Sequence, residues 1–240
     1  MKAILVKMQC LTNMHVGNGD INYNIIDNEV ERDPVTGMPT INSSGVKGAL
    51  RQYFGENGNE NVSKWFGDEK EKIEGTLKIL PADMMAMPLR ASKGKKAFYL
   101  VASESSVNRF EQLLKSFDVK ETFAGEDYTD TGEVMVEGMQ VNKTETVAGD
   151  KVYKLEDDKF RRVELPVMAR NCLENGISKN LWYEEVVPHH TTFVFPVVVQ
   201  NNEKDTLKSF KAAIDGQIVQ FGGNASIGYG LCLLTAVGEV

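Results

Sequence analysis

The segment Ser43-Ser44-Gly45-Val46-Lys47-Gly48-Ala49-Leu50-Arg51 has the residue types and spacing of an anion site. A helix starting there would present unpaired amides and the positive end of its dipole, which suits phosphate. Lys47 and Arg51 are four apart and share a face, and Gly45 and Gly48 would let another backbone come close. A capped helix with a solvated basic face would be spelled the same way. The second segment, Phe221-Gly222-Gly223-Asn224-Ala225-Ser226-Ile227-Gly228-Tyr229-Gly230, holds four glycines in nine residues. Gly222, Gly223, Asn224, Gly228 and Tyr229 could offer amides to phosphate and leave room for a nucleotide. It lacks the Gly-Lys-Ser/Thr of a Walker A loop, and it follows a helix where a dinucleotide fingerprint would open one. His15, at the end of the first strand and near the expected place of the glycine loop, could be a general base, or could pack or contact phosphate. Asp27 sits in a loop, where aspartates commonly form turns. Asp20 and Asp33 are rival carboxylates, and Asp33 before Pro34 reads as a turn residue.

Two other stretches could meet a polyanion. Residues 165–187 read as an excursion centred on Glu174-Asn175-Gly176, a hairpin signal. Met168, Ile177, Leu181 and Trp182 would supply apolar surface and Arg170 and Lys179 cations, or these would be core residues of a plain hairpin. Arg90-Ala91-Ser92-Lys93-Gly94-Lys95-Lys96 is the densest basic run, equally explained by an exposed turn.

The elements that must position these groups follow from periodicity. Ile4, Val6, Met8 and Cys10 alternate on a first strand. Residues 17–42, rich in Gly, Asn, Asp and Pro, read as an ordered loop or ribbon. A serine-capped helix runs from about Ser44 to Phe54 and stops at Gly55. Short strands are expected at Leu77–Ile79, Ala97–Ala102 and Val134–Val141, with an amphipathic helix over 105–117. Phe193, Phe195, Val197 and Val199 mark a strand. Leu207, Phe210, Ile214, Ile218 and Phe221 mark a helix, and 227–236 a last strand. The order strand, helix, strand, repeated, predicts an α+β ferredoxin-like (RRM-like) core with large insertions. One domain spans 1–240, with its core at about 1–81 and 190–240 and inserted material over 82–189.

Composition sets the bounds. The chain has 240 residues, 42% of them hydrophobic, enough for a sizeable core. No apolar run reaches bilayer length, and Lys7 interrupts the N-terminal apolar stretch, so a cytoplasmic protein without membrane partner is expected. Cys10, Cys172 and Cys232 lie far apart, which argues against a disulfide framework or a structural metal and for buried thiols. The net charge of −7 is concentrated: residues 121–150 hold eight acids and one base, and the rest balances at 26 of each. A neutral body with local basic patches can hold a phosphate backbone, with the acidic window turned away from it or merely solvated.

Together the two glycine-bearing segments resemble the RAMP superfamily of CRISPR proteins. Asp27 through Ile41, Leu80-Pro81-Ala82-Asp83 through Met87-Pro88-Leu89-Arg90, and Leu181-Trp182-Tyr183-Glu184-Glu185-Val186-Val187-Pro188 are similar to the filament subunit of the type III-B (Cmr) complex. Ile41-Asn42 stands where that family usually has Pro-Gly, and Tyr229 where it often has a base. The resemblance implies a backbone subunit that binds guide (crRNA) and target RNA, copies of itself and other type III subunits. It implies that 165–187 is a β-hairpin thumb that forces out a base pair, and that Asp27 cuts target RNA, holding a divalent ion such as Mg2+ or taking a proton from a ribose 2′-hydroxyl. Two alternatives remain: a purely structural guide-binding subunit with Asp27 a turn residue, and a metal-independent guide-processing nuclease using His15.

Overall fold

The first strand is long because its residues alternate between two apolar environments. The computed structural model describes residues 1–19 and 25–239, and Asp20 lies outside them. In chain order, β1 (Lys2–Cys10) leads through β2 (Thr40–Ile41) into α1 (Ser43–Glu56) and α2 (Val62–Phe66). β3 (Lys78–Ile79), β4 (Ala82–Lys93) and β5 (Phe98–Ser103) follow, then α3 (Glu104–Ser116). Two hairpins come next, β6 (Val134–Val136) with β7 (Met139–Val141) and β8 (Lys143–Val147) with β9 (Asp150–Leu155), and then the short α4 (Asp157–Phe160). β10 (Val167–Glu174) and β11 (Ile177–Glu185) form a separate hairpin; β12 (Thr192–Val199), α5 (Lys204–Ile214), β13 (Ile218–Gln220) and β14 (Leu231–Val237) close the chain.

The main sheet runs β13-β14-β1-β12-β4-β5-β9-β8. β1 pairs antiparallel with both β12, Ile4 opposite Val197, and β14, Cys10 opposite Cys232. On one face, Ile4, Val6 and Met8 pack with Phe193 and Phe195 against Val46, Leu50 and Phe54 of α1, Trp65 and Phe66 of α2, and Leu207, Phe210 and Ile214 of α5. On the other, Leu5, Met85, Leu100 and Val194 meet Val107, Phe110 and Leu113 of α3. A mixed α/β chain dominated by one large sheet is the result. No helix is long and apolar enough to cross a membrane among the described residues.

Several boundaries differ from expectation for physical reasons. Asn42, not a serine, is the N-cap of α1; its backbone N–H donates to Glu31 at 3.1 Å and its side-chain amide also bonds that carboxylate. α5 ends at Ile214 because Gly216 has φ 75°, so Ile218 begins a strand. The last strand starts at Leu231, after Gly228 and Gly230, both in the left-handed region. Val134–Val141 breaks into a hairpin at Glu137-Gly138, also left-handed. β4 was not foreseen: Met84, Met85, Ala86 and Met87 are all buried, so no alternation shows. Its pairing with β12 carries the central sheet past residue 81, where the core had been expected to stop. Leu77 falls just before β3, and Cys172 is exposed, unlike the other two thiols.

Candidate nucleic-acid interface

Three distant segments meet beyond the end of β1. The Gly223 N–H donates to the His15 carbonyl at 2.9 Å and the Gly230 N–H to that of Asn13 at 2.8 Å, which folds the glycine loop onto residues 13–15. Gly222 and Gly230 are required there: a Cβ would come 2.2 Å from the His15 oxygen at the first and 1.9 Å from the Phe221 oxygen at the second. His15 therefore does adjoin the glycine loop. Its Nδ1 lies 2.7 Å from the Glu185 carbonyl, an acceptor, so Nδ1 carries the hydrogen. Nε2 then faces the Glu184 carboxylate at 3.9 Å, and both side chains are buried. Asn224, left-handed with φ 62°, donates its amide to both Glu184 oxygens at 2.9 Å.

Asp27 is exposed and tied to β11. Its N–H donates to the Tyr183 carbonyl at 3.0 Å, and its Oδ2 accepts the Tyr183 N–H at 2.8 Å. The Glu185 N–H donates to Asn28 at 2.9 Å, and the buried Glu185 carboxylate takes the Arg32 guanidinium and the Val30 N–H. Asp33 is a turn former: its Oδ1 accepts the N–H groups of Val35 and Thr36 and the Thr36 hydroxyl. Slight burial pushes its carboxyl up, but those hydrogen bonds outweigh it and the net displacement is downward. Among the described residues no group of three or more His, Cys, Asp and Glu is placed to hold a metal ion. Asp27 thus fits a divalent ion only in the mode in which one carboxylate is joined by substrate phosphates.

The hairpin of β10 and β11 turns at Asn175-Gly176, both with positive φ, the signature of a type I′ turn. Ile177 and Leu181 are well exposed, Met168 and Val167 partly so, and Trp182 is half-buried. Arg170 folds back on the glycine loop, its guanidinium 5.3 Å from the Tyr229 ring centre and 3.4 Å from the hydroxyl. Lys179 stays near the tip and pairs with Glu174 at 3.1 Å.

Lys47 and Arg51 are half-buried on α1 and make no ion pair among the described residues. With Phe66, Gly67 and the 68–75 turn they line a cavity of ≈ 380 Å³. No side-chain bond caps the first turn, so the amides at Ser43 and Ser44 have no side-chain acceptor there.

The basic run is a different matter. Arg90 pairs with Glu137, Lys93 with Glu133 and Lys95 with Asp130. Lys7, Lys151, Lys154 and Lys211 take Asp150, Asp127, Glu145 and Glu121. Seven of the eight acids in 121–150 are thereby matched to cations, so the window is more than a solvated loop. Arg90 itself stays largely exposed, 3.8 Å from Glu137.

Glu184, Glu185 and Arg32 were missed as site residues. The available signal was two adjacent carboxylates set between Leu181-Trp182-Tyr183 and Val186-Val187, which must find partners when buried.

The RAMP superfamily model matches residues 7–232. The chain is 28% identical to the CRISPR system Cmr endoribonuclease Cmr4 of Pyrococcus furiosus, across 98% of this chain and 96% of that one. Oligomeric Cmr4 from Pyrococcus furiosus, a crystal structure, superposes with a TM-score of 0.74 at 25% identity, covering 99% of each chain. A chain of the cryo-EM structure of the type III-B Cmr-beta complex bound to cognate target RNA superposes with a TM-score of 0.80 at 20% identity, covering 98% of this chain and 97% of that one. From its N-terminal strand to its last, through the glycine loop that folds back on His15, this chain belongs to the RAMP superfamily.

Proposed function

We propose that the chain is a backbone subunit of a type III-B CRISPR effector complex that binds guide RNA, associates with copies of itself and other subunits in the cytoplasm, and cuts the paired target strand with Asp27. The relatives' names support the complex, its RNA and endoribonuclease activity. The whole chain is read as one domain built on a ferredoxin-like core. The order β14-β1-β12-β4, with α1 and α5 packed on one face, favours that reading.

The observation that carries the catalytic part is Asp27: an exposed carboxylate bonded to the backbone at the root of the β10–β11 hairpin. A-form RNA holds the 2′-oxygen, the phosphorus and the 5′-oxygen out of line. The hairpin, with exposed Ile177 and Leu181, acts as a thumb that opens a pair and lets them align. Asp27 takes the 2′-hydroxyl proton, the 2′-oxygen bonds to phosphorus, and the bond to the 5′-oxygen breaks, with a proton from water completing the leaving hydroxyl. A divalent ion held by Asp27 and the RNA phosphates would stabilise charge on the phosphate. Lys47, Arg51, the first-turn amides and the glycine loop hold the guide. His15 positions that loop, its Nε2 being turned to Glu184.

Asp27→Asn in the assembled complex tests this. Cleavage should fall by roughly 100- to 10,000-fold, with guide and target binding near wild type. Cleavage at the wild-type rate would leave a purely structural guide-binding subunit.

A further inference from the structure

Glu184 and Glu185 are neighbours on β11, so their side chains leave opposite faces of the strand. Both are buried, and a buried carboxylate is tolerable only when paired. The partners belong to two different loops. Glu184 receives the Asn224 amide at 2.9 Å on each oxygen. Glu185 receives Arg32 and the Val30 N–H at 3.0 Å, on the stretch that follows Asp27.

Asp27 itself is exposed, and it is hydrogen-bonded to the Tyr183 backbone, one residue before the pair. A reacting carboxylate must be held to about 0.5 Å, and an exposed loop does not hold itself that well. The Glu185 contacts fix the loop three and five residues further on, so it is gripped at two points.

We propose that Glu184 and Glu185 form a two-headed positioning clamp at the root of the thumb, one carboxylate holding the glycine loop and the other the Asp27 loop. What those loops do rests on the functional reading above; the clamp rests on the contacts alone. Neither glutamate touches the reacting atoms. The consequence is that guide binding and target cutting are positioned through adjacent residues yet can be disturbed separately.

The test uses complexes assembled with guide RNA and carrying Glu184→Gln, Glu185→Gln or Arg32→Gln, with Asp27→Asn in parallel. Arg32 is partly exposed; its variant removes the Glu185 ion pair but keeps an amide donor, the Val30 N–H still bonds that carboxylate, and urea midpoints read the stability lost by each variant. Glu185→Gln and Arg32→Gln should each speed amide exchange in the peptide containing Val30 and slow single-turnover cleavage at saturating target, both roughly tenfold. Guide dissociation should be unchanged. The double variant should be no worse than the poorer single, which a general loss of stability would not produce. Glu184→Gln should speed guide dissociation roughly tenfold and slow the cleavage by loaded complexes much less than Glu185→Gln does. Equal effects of every variant on both readouts, or wild-type Val30 exchange in Arg32→Gln, would overturn the clamp. If Asp27→Asn cuts normally, the catalytic reading falls, and the clamp is judged on Val30 exchange and guide dissociation.

Discussion

The Lys7 ammonium lies 2.7 Å from the Asp150 carboxylate, and both side chains are almost wholly buried. The second Asp150 oxygen accepts the Glu126 N–H at 3.1 Å. The pair ties β1, third in the sheet order, to β9, next to its far edge. Removing one partner strands the other charge. Lys7→Met or Asp150→Ala alone should therefore cost about 3–5 kcal/mol. The double change Lys7→Met with Asp150→Leu should recover most of it, as read from urea midpoints.

Lys47→Ala should weaken guide binding with little sequence preference, because a phosphate contact reads no base. The slope of log affinity against log salt should shrink by about one. An unchanged slope removes Lys47 from the interface.

The Arg170–Tyr229 contact docks the thumb on the glycine loop. Tyr229→Leu removes the ring face and the hydroxyl together, worth about 0.5–1 kcal/mol at an exposed site. Trp182 sits opposite Arg170 across the hairpin. Its fluorescence should red-shift as the hairpin loosens, whereas Tyr229→Phe, which keeps the ring, should change it little. Equal spectra for the two variants would discard this docking.

Acid should lower stability in two stages. Burial and the neighbouring His189 hold the His190 imidazole below its usual 6.5. The unfolded chain therefore gains that proton first, and stability present above 6.5 is lost as pH falls through that value. Thr129 and Lys151 hold Asp127 down at about 2, and the Gly238 N–H with Lys211 holds Glu121 below 4.5. Their contribution is present above the ordinary carboxylate range and fades as pH falls toward about 2. Urea midpoints at neutral, mildly acid and strongly acid pH read both stages, and His190→Asn should flatten only the first.

Periodicity made α1, α3, α5, β1 and β12 readable, because each buries one stripe or one alternating set. The Asn175-Gly176 turn was equally plain. β8 and β9 were not, since Lys-Thr-Glu-Thr-Val and Asp-Lys-Val-Tyr-Lys-Leu are too polar to announce strands of the main sheet. Ile218 looked helical because it stands four after Ile214, and only the turn at Gly216 decides otherwise. At the site, single segments were legible and their meetings were not. His15 near the glycine loop was inferred from strand order. That Asp27 would bond Tyr183, 156 residues away, or that Arg90 would be answered by Glu137, had no local trace. Long-range charge pairing leaves no period to read.

No residue from Pro166 to Glu185 joins either apolar cluster among the described residues. The hairpin is held at its root, by Asp27, Asn28 and the two glutamates, and by Arg170 midway. Its outer turn is thus decoupled from whether the chain folds. Extra residues or a chemical label at Asn175-Gly176 would leave the rest standing. The reach of the hairpin is then an adjustable dimension, free to lengthen or shorten without any repacking of the interior.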